Sequence, residues 1–208
     1  METIFVYGLK ISYIVYLNYF TENVMTQLEK IYHSHLNTPS DINEHLPTLM
    51  KYSLECNHVI EMGVRVPCST YALMMGKPKI MKSYDITPLE FFGVNRKDVA
   101  DVAKEHGIDW EFIQANVLHI DIDETDFLFI DTYHTYYQLK DELRLHSNKV
   151  KKYLGFHDTT TFADIGEGGV KGLWPAIVEF LEENKDWVLD NRYENNNGLT
   201  ILKRISNS

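Results

Sequence analysis

Two stretches of the sequence each place a histidine close to a carboxylate after a run of apolar residues. Asp131 closes the run that begins at Phe127, and His134 comes three residues later. A second apolar run ends in the same way, with His157 and Asp158. If the two runs form neighbouring parallel strands, their carboxyl ends lie side by side. The sequence therefore predicts that the two aspartates and two histidines converge on one rim of a sheet.

This set of side chains suits a divalent cation combined with acid–base chemistry. The carboxylates of Asp131 and Asp158 are hard ligands for Mg²⁺, which keeps several waters and can take a hydroxyl of a substrate. A metal-bound hydroxyl is acidified, so His134 or His157 could remove its proton as general base. The alternative is that these residues cap the following helices and bond to each other. We favour function because the whole set is expected at one rim.

A third stretch, from Asn57 to Asp85, is typical of a strand, a glycine turn, a helix and a second strand that together hold an adenosine-type cofactor. Gly63 lets the backbone approach a ligand, and the free N–H groups near Ser69 can receive a carboxylate or another anion. A dinucleotide needs further glycines to wrap its pyrophosphate, but Arg65 and Pro67 follow the single glycine. The pattern argues against NAD and FAD and favours S-adenosylmethionine, which carries no phosphate.

Several polar residues around this unit are candidates for contacts with the cofactor. Glu61 lies where an acid can attract the amino or sulfonium charge, and Asp85 lies where an acid reaches both ribose hydroxyls. Asn116 follows the third strand and can bond the adenine edge. A helix cap or loop carboxylate is the alternative for Asp85, and a purely structural turn is the alternative for the glycine segment. The predicted cofactor-binding residues are Glu61, Gly63, Arg65, Ser69, Asp85, Asn116 and Asp131.

The elements that must position these residues alternate along the chain. Short apolar runs predict strands at His58 to Glu61, Lys79 to Tyr84, Trp110 to Gln114, Phe127 to Asp131 and Tyr153 to His157. Helical patterns occupy Ser69 to Met75, Arg96 to His106, Tyr136 to Asn148 and Leu173 to Glu183. This alternation predicts an α/β fold with a doubly wound, mostly parallel sheet covered on both faces.

The two ends of the chain differ from this pattern. Near the C-terminus, Trp187 to Tyr193 and Leu199 to Ile205 are strands joined by an Asn- and Gly-rich turn, which predicts an antiparallel hairpin at the edge of the sheet. Near the N-terminus, Thr21 to His35 is predicted to form an amphipathic helix, and Ser40 to cap a second helix with Glu44 at capping-box spacing.

Length and composition limit the classes of function. We divide the 208 residues into an N-terminal helical extension, 1–50, and one α/β domain, 51–208. A net charge of −10 makes a nucleic-acid partner unexpected. Two cysteines exclude a disulfide framework and a zinc–cysteine cluster and fit a cytoplasmic location. The apolar segment Met1 to Phe20 is interrupted by Lys10 and Asn18, so no membrane span or signal peptide is expected.

A set of motifs carries a resemblance to a known family. The motifs are Ser40 to Ile42, Glu61 to Thr70, Asp131 to Tyr136 with Leu139 and Leu143, Phe156 to Thr159, and Asn195 to Thr200. Together they resemble the class I S-adenosylmethionine-dependent methyltransferases, in the branch grouped with cephalosporin hydroxylase and rhamnosyl O-methyltransferase. The resemblance extends over Leu28 to Arg204. It implies a Rossmann-like methyltransferase fold of seven strands, S-adenosylmethionine as donor and often a bound Mg²⁺.

Carried over residue by residue, the resemblance places the metal on Asp131 and Asp158, with His157 where some relatives have a second acid. Two departures from the pattern concern the same loop. Tyr133 stands where related sugar methyltransferases often have another acid, and Thr132 stands where they usually have glycine. Both residues lie between Asp131 and His134, from which the metal ligand and the catalytic base are predicted.

The expected function is O-methylation of a hydroxyl on a sugar or other small molecule, with a small-molecule or glycan acceptor and a possible homo-oligomer. One alternative is an oxygenase like cephalosporin hydroxylase, although no two-histidine, one-carboxylate iron triad is evident in the sequence. Another is a non-catalytic cofactor-binding scaffold that docks a partner through Met1 to Phe20. The glycine-rich segment Thr159 to Lys171 is interpreted either as a flexible lid or as a solvent loop.

Overall fold

The structure is a computed structural model that describes residues 25–205. Its strands are β1 (His58–Met62), β2 (Ile80–Asp85), β3 (Asp109–Gln114), β4 (Thr125–Ile130), β5 (Val150–His157), β6 (Trp187–Tyr193) and β7 (Leu199–Arg204). Its α-helices are α1 (Gln27–Asn37), α2 (Leu46–Ser53), α3 (Cys68–Met75), α4 (Arg96–Glu105), α5 (Tyr136–His146) and α6 (Trp174–Glu183). The predicted alternation of strands and helices is confirmed, with boundaries that differ by a few residues.

All seven strands form one sheet in the order β3-β2-β1-β4-β5-β7-β6. The first five are mutually parallel, whereas β7 runs antiparallel to both β5 and β6. The hairpin turn has positive φ at Asn196 (44°), Asn197 (69°) and Gly198 (95°), a conformation that asparagine and glycine tolerate best. The predicted Rossmann-like methyltransferase fold, with its terminal antiparallel hairpin, is confirmed.

The strand order reverses between β1 and β4, and this reversal creates the crevice in which ligands of such sheets bind. β1 is buried on both faces because its side chains alternate between two hydrophobic clusters. Val59 packs in the cluster with α1 to α4, and Ile60 packs in the cluster with α5 and α6. Each fully buried aliphatic side chain contributes about 1.5–3 kcal/mol. The two clusters therefore hold the central strand ends rigidly.

The N-terminal helices differ in detail from the prediction. α1 starts later than expected because Thr26 and Glu29 form a capping box, with the Thr26 N–H donating to Glu29 at 2.7 Å. The predicted cap of the second helix by Ser40 and Glu44 is wrong, because α2 begins only at Leu46 and has no side-chain cap. The Ser40 hydroxyl accepts from the Asn43 N–H at 3.0 Å, and the Ser40 N–H donates to the Asn43 side chain. Residues 21–24, part of the predicted first helix, lie outside the described residues.

Helices α1 and α2 share the larger hydrophobic cluster with the sheet, through Leu28, Tyr32, Leu46 and Leu49. The division of the chain at residue 50 stays a prediction. The segment Met1 to Phe20 lies outside the described residues. Between residues 25 and 205, no helix has the length and apolar character that crossing a bilayer requires.

Candidate functional site

The glycine turn after β1 brings two central strand ends into contact. Gly63 has φ +85°, and a Cβ built on it would lie 1.9 Å from the Asp131 carbonyl oxygen. The Asp131 N–H donates to the Met62 carbonyl at 2.8 Å, and the Gly63 N–H donates to the Tyr84 carbonyl at 2.8 Å. Only glycine fits this position, because any side chain would displace the backbone that presents Asp131.

Asp85 at the end of β2 holds the glycine turn in place. One carboxylate oxygen accepts from the Val64 N–H at 2.8 Å and from the Arg65 N–H at 3.0 Å. The other oxygen accepts from the Thr87 N–H at 2.8 Å. Arg65 has φ +50°, so these bonds also stabilise a backbone conformation that is unusual for a residue with a side chain. Asp85 can therefore make the predicted contact with ribose only through the lone pairs that these three N–H groups leave free.

Two adjoining cavities lie above these strand ends. The cavity that we call the Asn116 cavity has a volume of about 440 Å³, and the Ser69 cavity has a volume of about 360 Å³. Both are lined by Gly63, Arg65, Asp85, Asp131 and Thr132. A third cavity of about 350 Å³, between α5 and α6, is lined by no residue of the predicted site.

Most predicted cofactor-binding residues line one or both of these cavities. Asn116 borders the first together with Tyr84 and Phe92, although its side-chain oxygen also accepts from the Leu118 N–H at 3.0 Å. Ser69 borders the second. Asp41, which was not among the predicted site residues, also borders the Ser69 cavity and pairs with the Arg65 guanidinium at 2.5 Å.

Glu61 is the exception among the predicted contacts, because its side chain is fully buried beneath the cavities. Its oxygens accept hydrogen bonds from the hydroxyls of Ser69 at 2.6 Å, Thr70 at 2.7 Å and Ser83 at 2.8 Å. Burial raises the pKa of the carboxyl group to about 7 despite these three donors. The structure therefore does not bring Glu61 to the cavity surface, and it leaves no exposed oxygen for the predicted contact with the donor.

The four residues predicted at the other end of the site do converge. His134 Nε2 lies 2.9 Å from Asp158 Oδ2 and 3.3 Å from Asp131 Oδ1. His157 Nδ1 lies 3.5 Å from Asp131 Oδ2 and 3.6 Å from Asp158 Oδ2. Asp131, His134 and Asp158 can bring one ligand atom each within 4.8 Å of one another. No convincing arrangement of two histidines and one carboxylate was predicted from the sequence. In the structure, both imidazoles face both carboxylates.

Burial and charge set the ionisation of this group. Burial lowers the pKa of each imidazole, but hydrogen bonds and charge from Asp131 and Asp158 outweigh it and raise the pKa of His134 and His157 to about 10. Burial raises the pKa of both aspartates, but the two imidazoles hold each pKa below its ordinary value. Without a cation, the cluster is thus two imidazolium–carboxylate pairs.

This ionisation bears on the catalytic roles predicted for the histidines. A protonated His134 cannot accept a proton, so it acts as general base only after the ring has become neutral. His157 is 2% exposed and borders neither large cavity. His157 therefore has no access to a substrate in either cavity, which argues against the catalytic role predicted for it. His134, in contrast, borders the Ser69 cavity with Asp131 and Asp158.

The loop after β5 contributes two residues that the sequence did not single out. Glu167 Oε1 lies 2.7 Å from His134 Nδ1 and accepts from the His134 backbone N–H at 3.3 Å. The first contact is a close approach of charges without hydrogen-bond alignment. The Phe162 ring stacks on the His134 ring at 4.8 Å between centroids. The only sequence signal was the acidic, glycine-rich composition of Thr159 to Lys171.

The same loop is ordered by backbone contacts rather than left free over the cavities. Gly166 lies so close to the His134 carbonyl oxygen that a Cβ would approach it to 2.3 Å. The Glu167 N–H donates to that carbonyl at 3.0 Å, and the Leu173 N–H donates to the Phe162 carbonyl at 2.8 Å. The loop is therefore a packed wall of the site in this conformation.

Thr132, one of the departures from the family pattern, has a defined partner. Its hydroxyl donates to Glu142 Oε1 at 2.6 Å, and the Gln138 side chain donates to the same oxygen at 2.8 Å. Glu142 is fully buried on α5, and burial raises the pKa of its carboxyl group to about 7. The network ties the loop after β4 to α5 and so fixes the backbone next to Asp131.

The Asn-rich turn of the hairpin joins three parts of the site. Asn196 donates through its side chain to the Ser40 carbonyl at 2.7 Å, and its own carbonyl contacts His157 Nε2 at 3.3 Å. The Asn197 carbonyl accepts from the N–H groups of Thr160 and Thr161. The turn thereby positions the wall of the Ser69 cavity, one histidine of the cluster and the loop after Asp158.

Comparisons with known proteins agree with this architecture. No protein-family model matches the chain, and no curated protein matches it in sequence. Similar solved structures include a protein from Corynebacterium glutamicum, which is 12% identical with a TM-score of 0.63; the alignment covers 94% of this chain and 98% of that chain.

Two further structures were solved with ligands. The O-methyltransferase TomG from Streptomyces achromogenes, in complex with SAM, is 15% identical with a TM-score of 0.57; the alignment covers 90% of this chain and 95% of that chain. An O-methyltransferase from Bacillus cereus, in complex with SAH, is 12% identical with a TM-score of 0.56, at 90% and 96% coverage. At these identities the similarity establishes the fold. The resemblance to the cephalosporin hydroxylase and rhamnosyl O-methyltransferase branch stays a prediction.

Proposed function

We propose that this protein is an S-adenosylmethionine-dependent methyltransferase that transfers a methyl group to a hydroxyl of a small molecule, such as a sugar. One observation carries the proposal: two adjoining cavities meet over Gly63, and one of them ends at the cluster of Asp131, His134 and Asp158. The position is the crevice where sheets of this type bind ligands. Solved structures of the same fold with SAM or SAH bound are consistent with it.

The donor would lie across both cavities. Each volume is within the range of small-molecule sites, and together they accept a nucleoside joined to an amino acid. Asn116 and Asp85 would hold the adenosine. Ser69, at the start of α3, would meet the carboxylate of the amino acid. The ion pair of Arg65 and Asp41 offers opposite charges to the two charged groups of that amino acid.

The residues present also fit a divalent cation. Asp158 Oδ1 and His157 Nδ1 are buried atoms without a hydrogen-bond partner, and both belong to the group that faces Asp131. Asp131, Asp158 and His134 would hold the cation, with His157 close behind. A bound cation would orient the acceptor hydroxyl and lower its pKa. The sequence predicts Mg²⁺ for this role.

The reaction is an in-line displacement at the methyl carbon. The acceptor oxygen forms the new bond to carbon, the carbon–sulfur bond breaks, and its electron pair returns to sulfur. The rigid strand ends hold donor and acceptor in line, and this orientation supplies much of the acceleration. Phe162 and Glu167 close one side of the cluster and limit the access of water. The hydroxyl proton leaves to a base, for which neutral His134 is the nearest candidate as long as its Nε2 lone pair is not bound to the cation.

Calorimetric titration with adenosylhomocysteine tests the donor site. We expect the wild type to bind it with a Kd on the order of micromolar. Asp85→Asn should weaken binding about tenfold, because an amide cannot accept from both sides of the turn as a carboxylate does. Asp123→Asn is the matched control, since Asp123 pairs with Lys82 away from both cavities.

The same titration distinguishes other functions. Binding of NAD without binding of adenosylhomocysteine would refute the proposal. Binding of adenosylhomocysteine without transfer of labelled methyl groups to any sugar or phenol would refute the acceptor class only. A cofactor-binding scaffold predicts that outcome together with a partner that supplies the activity.

A further inference from the structure

The two imidazoles of the cluster each have an acceptor behind the ring. His157 Nε2 faces the Asn196 carbonyl oxygen at 3.3 Å, and His134 Nδ1 faces the Glu167 carboxylate at 2.7 Å. A carbonyl oxygen only accepts hydrogen bonds, so His157 Nε2 carries a proton and the lone pair of a neutral His157 ring is on Nδ1. The approach of Glu167 to His134 Nδ1 is not an aligned hydrogen bond, and Nε2 is the nitrogen of His134 that the aspartates engage, so a metal would take the place of the proton on that atom. His157 Nδ1 and His134 Nε2 both point toward Asp131 and Asp158.

This arrangement presets the tautomer of His157 for metal binding. Histidines that bind metals usually donate their second N–H to a carboxylate or a backbone carbonyl, which fixes the ring and raises its basicity. Here His157 has a backbone carbonyl, that of Asn196, as this partner. Without a metal, protons on the two rings face the carboxylates, and a cation that replaces these protons would meet two ring nitrogens and two carboxylates. The cluster therefore defines a site for positive charge.

The rings are also held against rotation. Phe162 stacks on His134 at an interplanar angle of 6°, and His45 packs edge-on against His157 at 5.7 Å between centroids. His157 is 2% exposed, and its Nδ1 lies 3.5 and 3.6 Å from the facing aspartate oxygens, too far for a close hydrogen bond. The Nδ1 atoms of His45 and His146 are also buried without a partner, but that of His157 faces two carboxylates. A buried nitrogen without a close partner, aimed at two acids, points to an occupant between them.

The distances match the spacing of ligands around a metal. The nitrogens lie between 2.9 and 3.6 Å from the aspartate oxygens that they face. Neighbouring ligands about 2.1 Å from a common ion are about 3 Å apart in octahedral geometry and slightly more in tetrahedral geometry. Asp131, His134 and Asp158 already bring one ligand atom each within 4.8 Å of one another, whereas His157 is not part of that group and would move toward a common ion.

We propose that this site binds a divalent first-row transition metal, such as Mn²⁺, Fe²⁺, Co²⁺ or Zn²⁺, in preference to Mg²⁺, through His134, His157, Asp131 and Asp158. Imidazole nitrogen suits these metals, whereas Mg²⁺ selects oxygen ligands. Glu167 acts as a positioning residue, because its carboxylate accepts from the His134 backbone N–H and lies 2.7 Å from Nδ1, on the side of the ring away from the two aspartates. The inference concerns the cation site of the proposed function, but its test does not require methyl transfer.

Metal-free protein should be titrated with Mn²⁺, Co²⁺, Zn²⁺ and Mg²⁺ separately, with calorimetry as the readout. We expect the three transition metals to bind at least about a hundred times more tightly than Mg²⁺. Bound Co²⁺ gives a second readout on the wild type, because its visible absorption spectrum responds to nitrogen ligands. Equal or tighter binding of Mg²⁺, no binding of any of these ions, or a Co²⁺ spectrum typical of oxygen ligands alone would overturn the proposal.

Variants identify the ligands. His134→Gln and His157→Gln should each weaken transition-metal binding about 10- to 100-fold and change the Co²⁺ spectrum. His146→Gln is the matched control, because His146 is a buried histidine away from the cluster whose Nδ1 is unpartnered and whose Nε2 contacts the Val117 carbonyl. Equal affinities in the control and both site variants would contradict the assignment. If a site variant does not fold, the wild-type spectrum alone decides.

The positioning role of Glu167 has its own signature. Glu167→Ala should weaken transition-metal binding about tenfold, and Glu167→Gln should restore part of the affinity because its side-chain oxygen can still accept from the His134 backbone N–H. A change in folding stability without a change in metal affinity would contradict the role. Donor binding, measured with adenosylhomocysteine, should not change, so failure here and failure of the proposed function are distinguishable.

Discussion

The molecule contains two groups of acids at the ends of its central strands, and they have opposite environments. Glu61 on β1 is fully buried and bonded to three hydroxyls. Asp131 and Asp158, after β4 and β5, border a cavity and face two imidazoles. Burial raises the pKa of Glu61, and its hydroxyl partners, which carry no charge, do not offset this. The imidazolium partners of the aspartates do offset burial and lower their pKa.

The two groups of acids therefore have different roles at the same edge of the sheet. The Glu61 carboxylate connects β1, β2 and α3 through its three hydrogen bonds and has no free oxygen for a ligand. Asp158 Oδ1, in contrast, is buried without a hydrogen-bond partner, and so is His157 Nδ1, which faces both aspartates. Unsatisfied groups of that kind favour binding of an ion. Acids near the carboxyl ends of neighbouring strands can thus differ in role because their hydrogen-bond partners differ.

The largest expected effect comes from the residue between the two groups. Gly63→Ala should lower the free energy of unfolding by about 4 kcal/mol or more, because its Cβ would clash with the Asp131 backbone at 1.9 Å. Gly93→Ala is the control, since Gly93 has a similar φ of +76° and a Cβ added there would meet no atom within 4 Å. Urea denaturation measures both. Equal losses would mean that strain alone, not contact between the strand ends, explains the effect.

Glu61 is expected to matter for stability. Glu61→Ala should cost about 3 kcal/mol of unfolding free energy, because three buried hydroxyls lose their common acceptor and a cavity opens. Ser83→Ala, which removes one of the donors, should cost about 1 kcal/mol. Chemical denaturation compares the two variants. A stable Glu61→Ala protein that fails only to bind adenosylhomocysteine would reverse our assignment of Glu61 to structure.

Asp158 is expected to matter for chemistry. Asp158→Asn should lower the rate of methyl transfer about 100-fold, or about 2.7 kcal/mol. It should also destabilise the metal-free protein, because it removes a negative charge that both imidazolium rings face. Asparagine tolerates the positive φ of 60° at this position, so the substitution does not strain the backbone. Initial rates and thermal unfolding are measured on the same preparation. Full activity in this variant would contradict the role of the aspartates.

The smallest effect is the pH dependence of stability, in which the two groups should have opposite signs. The folded-state pKa of Glu61 is raised from 4.5 to about 7, so stability should rise by on the order of 1 kcal/mol per pH unit as pH falls from 7 to 4.5. The folded-state pKa of Asp158 is lowered from 3.8, so the stability it contributes is lost as pH falls below that value.

Urea denaturation of the metal-free protein across this range gives the measurement. Glu61→Gln should flatten the change between pH 7 and 4.5 and keep the loss at lower pH. Part of the slope should remain, because Glu142 has a raised pKa of the same sign. An unchanged slope in Glu61→Gln would show that Glu61 is not the group that titrates.

Much of this arrangement follows from local sequence. Apolar runs that end in a polar residue locate the strand ends, so the convergence of Asp131, His134, His157 and Asp158 could be predicted from parallel pairing alone. The partners could not, because they come from distant segments: Glu167 approaches His134 across 33 positions, and Ser83 reaches Glu61 across 22. Side-chain orientation also decides which nitrogen of each imidazole faces the acids. A sequence pattern specifies the residue but not its rotamer.

The Asn-rich hairpin turn has a consequence for the order in which the site forms during folding. Asn196 bonds to Ser40 across 156 positions, and β7 inserts between β5 and β6. Contacts of such large sequence separation form late, because a long loop must close before they add stability. During synthesis, His157 would lack its backing carbonyl until the turn has left the ribosome. The proposed cation site should therefore form only after nearly the whole described chain has been made.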